Sequence, residues 1–408
     1  MSEKRAYERL IEYAQIHTAS TEDANGTPST QRQFDLAHAL EKELTSLGVS
    51  DVYVDEHCYV YGKLSATPGM EDKPCVGFLA HLDTVPDFSG ENVRPRVVEN
   101  YDGGDIVLGE SGRTLSPDNF PHLKGFKGKT LIVTDGTTVL GADDKAGVAE
   151  IVTAAECIIN GALPHGPLAI GFCPDEEIGH GAELMDLKRF GAQLGYTVDG
   201  GGFGEIEYEN FNAAAAEVEF SGFNVHPGSA KDTMINASLV AMQFNAMLPA
   251  GDTPRETCGY EGFFHLTEMD GGIEKAKLSY IIRDHDAGGF EARKRMLQHI
   301  TDLLNKRYGE GTVKLSLREQ YRNMLEQVKP HIEVVEKAEA AYRAMGTEPV
   351  AVPIRGGTDG AQLSYRGLPC PNLPTGSYGH HGPYEHAVAE DMDRVVELIL
   401  GIVKEFTK

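Results

Sequence analysis

Several features that would fix the class of this chain are missing from it. No CxxC pair occurs; the six cysteines (Cys58, Cys75, Cys157, Cys173, Cys258, Cys370) are scattered, several of them inside apolar runs. That pattern argues against a thiolate zinc ribbon or a disulfide frame and predicts reduced, buried thiols. No apolar run approaches the length of a membrane span. The first residues, MSEKRAYERLIEYAQ, read as a charged amphipathic helix without a signal-peptide core, so a cytoplasmic location is expected. No G-x-S-x-G occurs, which removes the nucleophile-elbow serine hydrolases. Internal repeats and low-complexity tracts are also lacking. Basic charge is scarce: 37 Lys and Arg face 62 Asp and Glu, a net charge of -25. A nucleic-acid or anionic-membrane partner wants the opposite balance, so neither is expected. A cationic partner suits it better, either metal ions or a substrate with an ammonium group.

What is present is an ordinary globular composition, 41% hydrophobic and 24% charged, over 408 residues, enough for two or more domains. Residues 3–16 and 29–47 read as helices, the second stopping before Gly48. Short alternating runs follow at 52–54 and 59–64, then the apolar strand 75–80 running into His81-Leu82-Asp83. Residues 86–128 read as loops and short strands, and 130–134 as another strand. A helix is predicted over 146–159, a buried strand over 167–173, a helix near 182–190, and a strand over 195–198 ending in Asp199. Strands alternating with helices predict an α/β layered sheet, which holds its sites at the C-terminal strand edge.

At Asp199-Gly200-Gly201-Gly202 the organisation changes, and the glycines suggest a hinge. Strands at 213–220, 263–268, 275–283 and 312–317, with helices at 236–247 and 290–308, give the β-α-β-β-α-β order of a ferredoxin-like α+β module. The expected division is a catalytic domain of 1–209 and 326–408 around an inserted lid or dimerisation domain, 210–325. Helices at 331–345 and 389–406, with the loop 354–360 between them, return to the first domain.

Acids and imidazoles gather at the predicted strand ends: His81 and Asp83, Asp143 and Asp144, Glu176 and Glu177, Asp199, then His380 and His381. Adjacent carboxylates at the end of a strand point to different sides. One can bind a metal while the other handles the proton of an attacking water. Taken alone, Glu176-Glu177 reads as a solvated loop end, and His81-x-Asp83 as a structural pair. In the functional reading Asp83 orients the imidazole from behind. Asp143 precedes a helix whose N-terminus favours negative charge; a capping role for Asp143 or Asp144 is the structural alternative, and for Asp144 it stays open. Charge counting supports two metals. Two Zn²⁺ are balanced by ionised Asp143, Glu177 and Asp199 plus a hydroxide, with His81 and His381 neutral. Imidazole and carboxylate donors suit zinc, with manganese or cobalt as substitutes.

HLDT (81–84), GADDKAG (141–147), PDEEIG (174–179), YTVDGG (196–201), NVHPGSAK (224–231), IRGGTDG (354–360) and HGPYEH (381–386) together resemble the motif set of the peptidase T family. These are tripeptide aminopeptidases among the di-zinc metallopeptidases that also include aminoacylases and related carboxypeptidases. ENYDGGDIVLG (99–109) and GYEGFFHL (259–266) resemble that branch in particular. The resemblance implies a zinc-peptidase fold and release of the N-terminal residue from a short peptide with a free amine. It implies that His81 and Asp199 hold one zinc, Glu177 and His381 the other, and that Asp143 bridges them. Glu176 is then the general base and Asp83 the carboxylate behind His81. The His-Gly pattern selects His381 over His380. His226 resembles a histidine that crosses to the partner's site in a homodimer and polarises the scissile carbonyl. Asn236, Arg283 and Arg355 resemble substrate-binding groups; read without the resemblance, Arg283 is a surface ion-pair residue and His226 a turn residue before Pro227. Two other classes stay in view: a deacylase or carboxypeptidase acting on N-acylated amino acids, and a non-catalytic metal- or peptide-binding protein on the same frame.

Overall fold

The apolar run ending at His81 becomes the strand Val76–His81, buried along its whole length. Leu168–Cys173 is equally buried, as befits central strands of a sheet covered on both faces. The structure is a computed structural model describing residues 2–24, 26–109 and 111–408. Residue 110, within the segment expected as loops and short strands, lies outside the described residues. The central sheet has six strands in the order Ser50–Val54, Val60–Leu64, Leu168–Cys173, Val76–His81, Leu194–Gly200 and Asn372–Pro374. The last four run parallel, so their C-terminal ends share one edge.

Ala142–Gly161 packs on the central strands in a helical layer with Ala6–Ala14 and Ala389–Glu405, and Glu333–Ala344 packs on the last of these. The opposite face carries a cluster built on Tyr59, Leu79, Phe190 and Leu363. A second, antiparallel sheet joins Ser377–Tyr378, His386–Val388, Leu131–Val133 and Arg96–Val98. Among the described residues no helix is long and apolar enough to cross a membrane.

The chain separates into two compact units. The first takes the chain up to Tyr208 together with Met324–Val352 and Thr358–Lys408; the second is Glu209–Asn323 with Pro353–Gly357. In the second, an antiparallel sheet runs Phe263–Gly271, Lys275–Asp284, Asn212–Ser221, Val313–Tyr321. Helices Ala237–Ala246 and Ala287–Tyr308 pack on it around Val218, Phe220, Phe244 and Leu297. This is the ferredoxin-like arrangement. Asn212–Ser221 shows how it is encoded: Ala214, Ala216, Val218 and Phe220 are buried while Glu217 and Glu219 face water.

Three elements differ from expectation. The helix expected from residue 29 begins at Gln33, because Ser29 turns its amide and hydroxyl to the Asp175 carboxylate, each at 2.6 Å. The helix expected over 182–190 shrinks to Leu187–Phe190. Tyr59 and Tyr61 explain this: the Tyr59 hydroxyl donates to Gly181 O and accepts from Leu184 N, and the Tyr61 hydroxyl accepts from Asp186 N. Those backbone groups are spent on side chains instead of a helix. Gly200 belongs to a strand rather than to a joint, and the passage between units comes later, after Tyr208.

Candidate metal centre

Parallel register delivers the first candidate ligands. Leu79 pairs with Thr197 and His81 with Cys173. Two residues beyond the first pair, His81 and Asp199 therefore stand level on neighbouring strands. Beyond Cys173 the chain leaves the sheet. Asp175 takes a left-handed conformation, φ 57, and Glu176–Ile178 form one turn of 3-10 helix. The divergence of the Glu176 and Glu177 side chains therefore comes from this turn and not from strand alternation, correcting the expectation. A non-glycine residue is costly at that φ, and it is held by partners distant in the chain. Here the buried Asp175 carboxylate accepts from Ser29 N, Ser29 Oγ and Gln33 Nε2, each at 2.6 Å.

His81 is buried, with Nδ1 donating to the Asp83 carbonyl at 3.0 Å. That leaves Nε2 facing Asp143 Oδ1 at 3.0 Å and Asp199 Oδ1 at 3.6 Å. The second carboxylate oxygen of Asp143 lies 3.1 Å from His381 Nε2, which is also 3.1 Å from Glu177 Oε2. Two ligand groups result, His81-Asp143-Asp199 and Asp143-Glu177-His381, with donor atoms within 4.8 Å of one another in each. Asp143 belongs to both. His380 Nδ1 is farther from Asp143, at 3.6 Å, and its Nε2 is engaged with Ser377 Oγ at 2.8 Å.

Asp83 does more than face His81. Its carboxylate is 3.4 Å from Nδ1 and accepts from Glu176 N at 3.0 Å and Glu177 N at 3.3 Å. It thus fastens the turn that presents both glutamates. Asp144 also takes a structural task, accepting from His81 N at 3.1 Å and Gly147 N at 3.2 Å. Glu176 stands outside both ligand groups and lines a narrow crevice with His81, Asp199 and Asp359.

Carboxylates this crowded cannot all keep ordinary protonation. Burial, reinforced by the Asp199 charge, pushes the Glu176 carboxyl well above the usual range. Burial also raises Asp199 and brings Glu177 up to about 7. Burial works against the Asp143 charge, but His380, His381 and His81 outweigh it and hold that carboxyl well below the usual range. Hydrogen bonds to Asp143 and Glu177 lift His381 to about 11. A surplus of negative charge is drawing protons onto the imidazoles. Divalent cations satisfy the same demand, and an oxygen and imidazole donor set without thiolate fits them.

The other expected site residues lie in the second unit. Asn236 caps the helix Ala237–Ala246, its Oδ1 accepting from Leu239 N at 3.3 Å. Arg283 Nη1 donates to Ile282 O at 2.9 Å and Gln320 Oε1 at 3.1 Å, with the guanidinium over the Tyr321 ring. Arg355, expected to bind substrate, lies against the 257–261 loop. Its Nη1 donates to Gly259 O and Glu261 O, and its Nη2 to Thr257 O and Oγ1. Four of its five N–H groups tie down the 257–261 loop. His226 is exposed, and its Nδ1 accepts from Gly228 N at 3.1 Å. That bond puts the proton of the neutral ring on Nε2.

Residues passed over in the sequence include Glu385 and Asp359. Glu385 is 2% exposed and accepts from the backbone N–H of Leu140, Gly141 and Asp143. Both lie inside quoted motifs, HGPYEH and IRGGTDG. Their place inside motifs that also carry the candidate ligand His381 and Arg355 was the available signal.

A family model for a peptidase dimerisation domain matches residues 208–312. Peptidase T of Clostridium perfringens is 53% identical over 406 residues, covering 99% of this chain and 100% of that one. Among solved structures, aminopeptidase PepT from Bacillus cereus superposes with a TM-score of 0.78 at 22% identity, covering 99% of this chain and 98% of that one. A Bacillus subtilis protein described as a dinuclear metal-binding peptidase of the M20 family gives 0.64 at 13% identity, covering 98% and 97%. The two structural likenesses bear on the fold.

Proposed function

The chain belongs to the peptidase T family of peptide hydrolases, and on that premise we propose that it releases the N-terminal residue from tripeptides, with Glu176 as general base beside two zinc ions. The observation that carries this reading is Asp143, whose two carboxylate oxygens face different imidazoles at 3.0 and 3.1 Å. His81 and Asp199 would hold one ion, Glu177 and His381 the other, and Asp143 both. Bound there, zinc lowers the pKa of a water toward about 7 and polarises a carbonyl, and manganese or cobalt could take its place.

Glu176 takes the proton of the attacking water while the water oxygen adds to the first peptide carbonyl carbon. As the C–N bond breaks, Glu176 passes that proton to the departing amine. Asp83 keeps Glu176 in place through its backbone N–H. His226 donates from Nε2 to the developing oxyanion in the site of a partner subunit, so the working form is a homodimer. The match to a dimerisation domain over 208–312 supports this. An obligate monomer with full activity would contradict it. Six cysteines without a disulfide among them support a reducing, cytoplasmic setting.

The free amine of the substrate is a requirement of this reading. An N-acetylated tripeptide should be cleaved about 10–100-fold less efficiently, the worth of one lost charge-assisted hydrogen bond. Equal rates on both would instead favour a deacylase. Arg283 is assigned to the C-terminal carboxylate, which sets peptide length. Arg283→Met should cut kcat/KM on tripeptides by a similar factor and flatten the profile across di-, tri- and tetrapeptides. An unchanged preference for tripeptides would remove Arg283 from the site.

A further inference from the structure

We propose that Glu385 is a positioning residue for Asp143, setting the one ligand shared by both ions; the proposal rests on the di-metal reading above. The backbone entering the helix at Ala142 is irregular. Gly141 is left-handed, φ 73, and Asp143 sits at φ -86, ψ 100, outside helical space. Amide groups in such a bend have no helical partners and must be satisfied another way.

Glu385 satisfies three of them from one buried carboxylate. Its Oε2 accepts from Leu140 N and Gly141 N, both at 2.7 Å, and its Oε1 from Asp143 N at 2.9 Å. The bond to Asp143 N fixes the peptide plane that precedes the Asp143 side chain. A rotation there would swing one carboxylate oxygen away from His81 or the other away from His381. Glu385 also shares a hairpin loop with His381, between Ser377–Tyr378 and His386–Val388. One loop therefore supplies a ligand and holds the backbone of the bridging ligand opposite it. Strand pairing of His386 with Val133 joins the same two segments independently. The three Glu385 bonds are thus concentrated on the ligand-bearing bend rather than needed to close the sheet.

Glu385→Gln is the discriminating variant. Its amide oxygen can keep the pair of bonds at the Oε2 position, but the amide nitrogen then meets Asp143 N–H, donor against donor. Zinc affinity, read by competition with a chromophoric chelator, should fall about 10–100-fold, the usual effect of removing a group that orients a metal ligand. Raising free zinc should restore kcat, with KM for a tripeptide unchanged. Glu385→Asp keeps the charge and should fall between the two. Glu156→Gln is the control for mere destabilisation. It breaks the buried 2.7 Å pair with Arg9 and should lower the melting temperature without weakening zinc binding. If Glu385→Gln, or Glu385→Asp should the first not fold, binds both ions as tightly as wild type, the proposal is overturned. A wild-type protein that binds no pair of ions would instead overturn the di-metal reading.

Discussion

Glu176→Ala is expected to cut turnover of a free-amine tripeptide by about 10²–10⁴-fold while the protein keeps its full complement of metal. The two halves of that result have separate causes. On the proposed mechanism, activity falls because the group that carries the proton from water to the leaving amine has gone. Metal stays because Glu176 belongs to neither ligand group. The turn that presents Glu177 is fastened through the backbone, with Asp83 accepting from Glu176 N and Glu177 N. On the other side Asp175 is tied to Ser29 and Gln33. An alanine at 176 keeps every one of those bonds, since none uses the Glu176 side chain. Kinetics with saturating tripeptide, paired with elemental analysis of the same sample, reads both halves. Near-normal turnover would defeat the assignment, and loss of metal would mean that Glu176 is a ligand instead.

The central sheet was legible because buried parallel strands write themselves as unbroken apolar runs. Val76–Ala80 and Leu168–Cys173 are such runs, and the polar residues that end them mark the site edge. The ferredoxin-like order was legible from the alternation in Asn212–Ser221 and the helical spacing after it. What periodicity could not show was where side chains from afar take over the backbone. Nothing local says that Tyr59 and Tyr61 will consume the amides and carbonyl of 181–186, or that Ser29 will leave a helix to serve Asp175. The divergence of Glu176 and Glu177 has a different cause from the one their sequence position suggests. Strand alternation does not produce it; the separation depends on Asp175 adopting φ 57, a conformation whose support lies 146 residues earlier in the chain. Arg355 illustrates the same limit from the other direction. Its motif marks it as a candidate anion binder, and only the fold brings the carbonyls of Thr257, Gly259 and Glu261 against it.

Asp143→Ala should have the largest effect of any single change on metal binding. It should remove tight binding of both ions and take hydrolysis down by about 10³-fold or more, since metal assistance is worth several kcal/mol. His381→Ala touches one ligand group, whereas Asp143 supplies an oxygen to each, at 3.0 Å from His81 and 3.1 Å from His381. Asparagine is no substitute, because only one of its two terminal atoms can accept. Stability supplies a readout independent of turnover. A ligand that binds only the folded chain raises stability by about 2.7 kcal/mol at a hundredfold excess over its Kd. Wild type should therefore melt higher with zinc than after chelation, and His381→Ala should keep part of that difference. Asp143→Ala should melt at the same temperature with and without zinc. A zinc-dependent rise in Asp143→Ala equal to that of wild type would show that the carboxylate does not join the two ions, and the di-metal reading would fall with it.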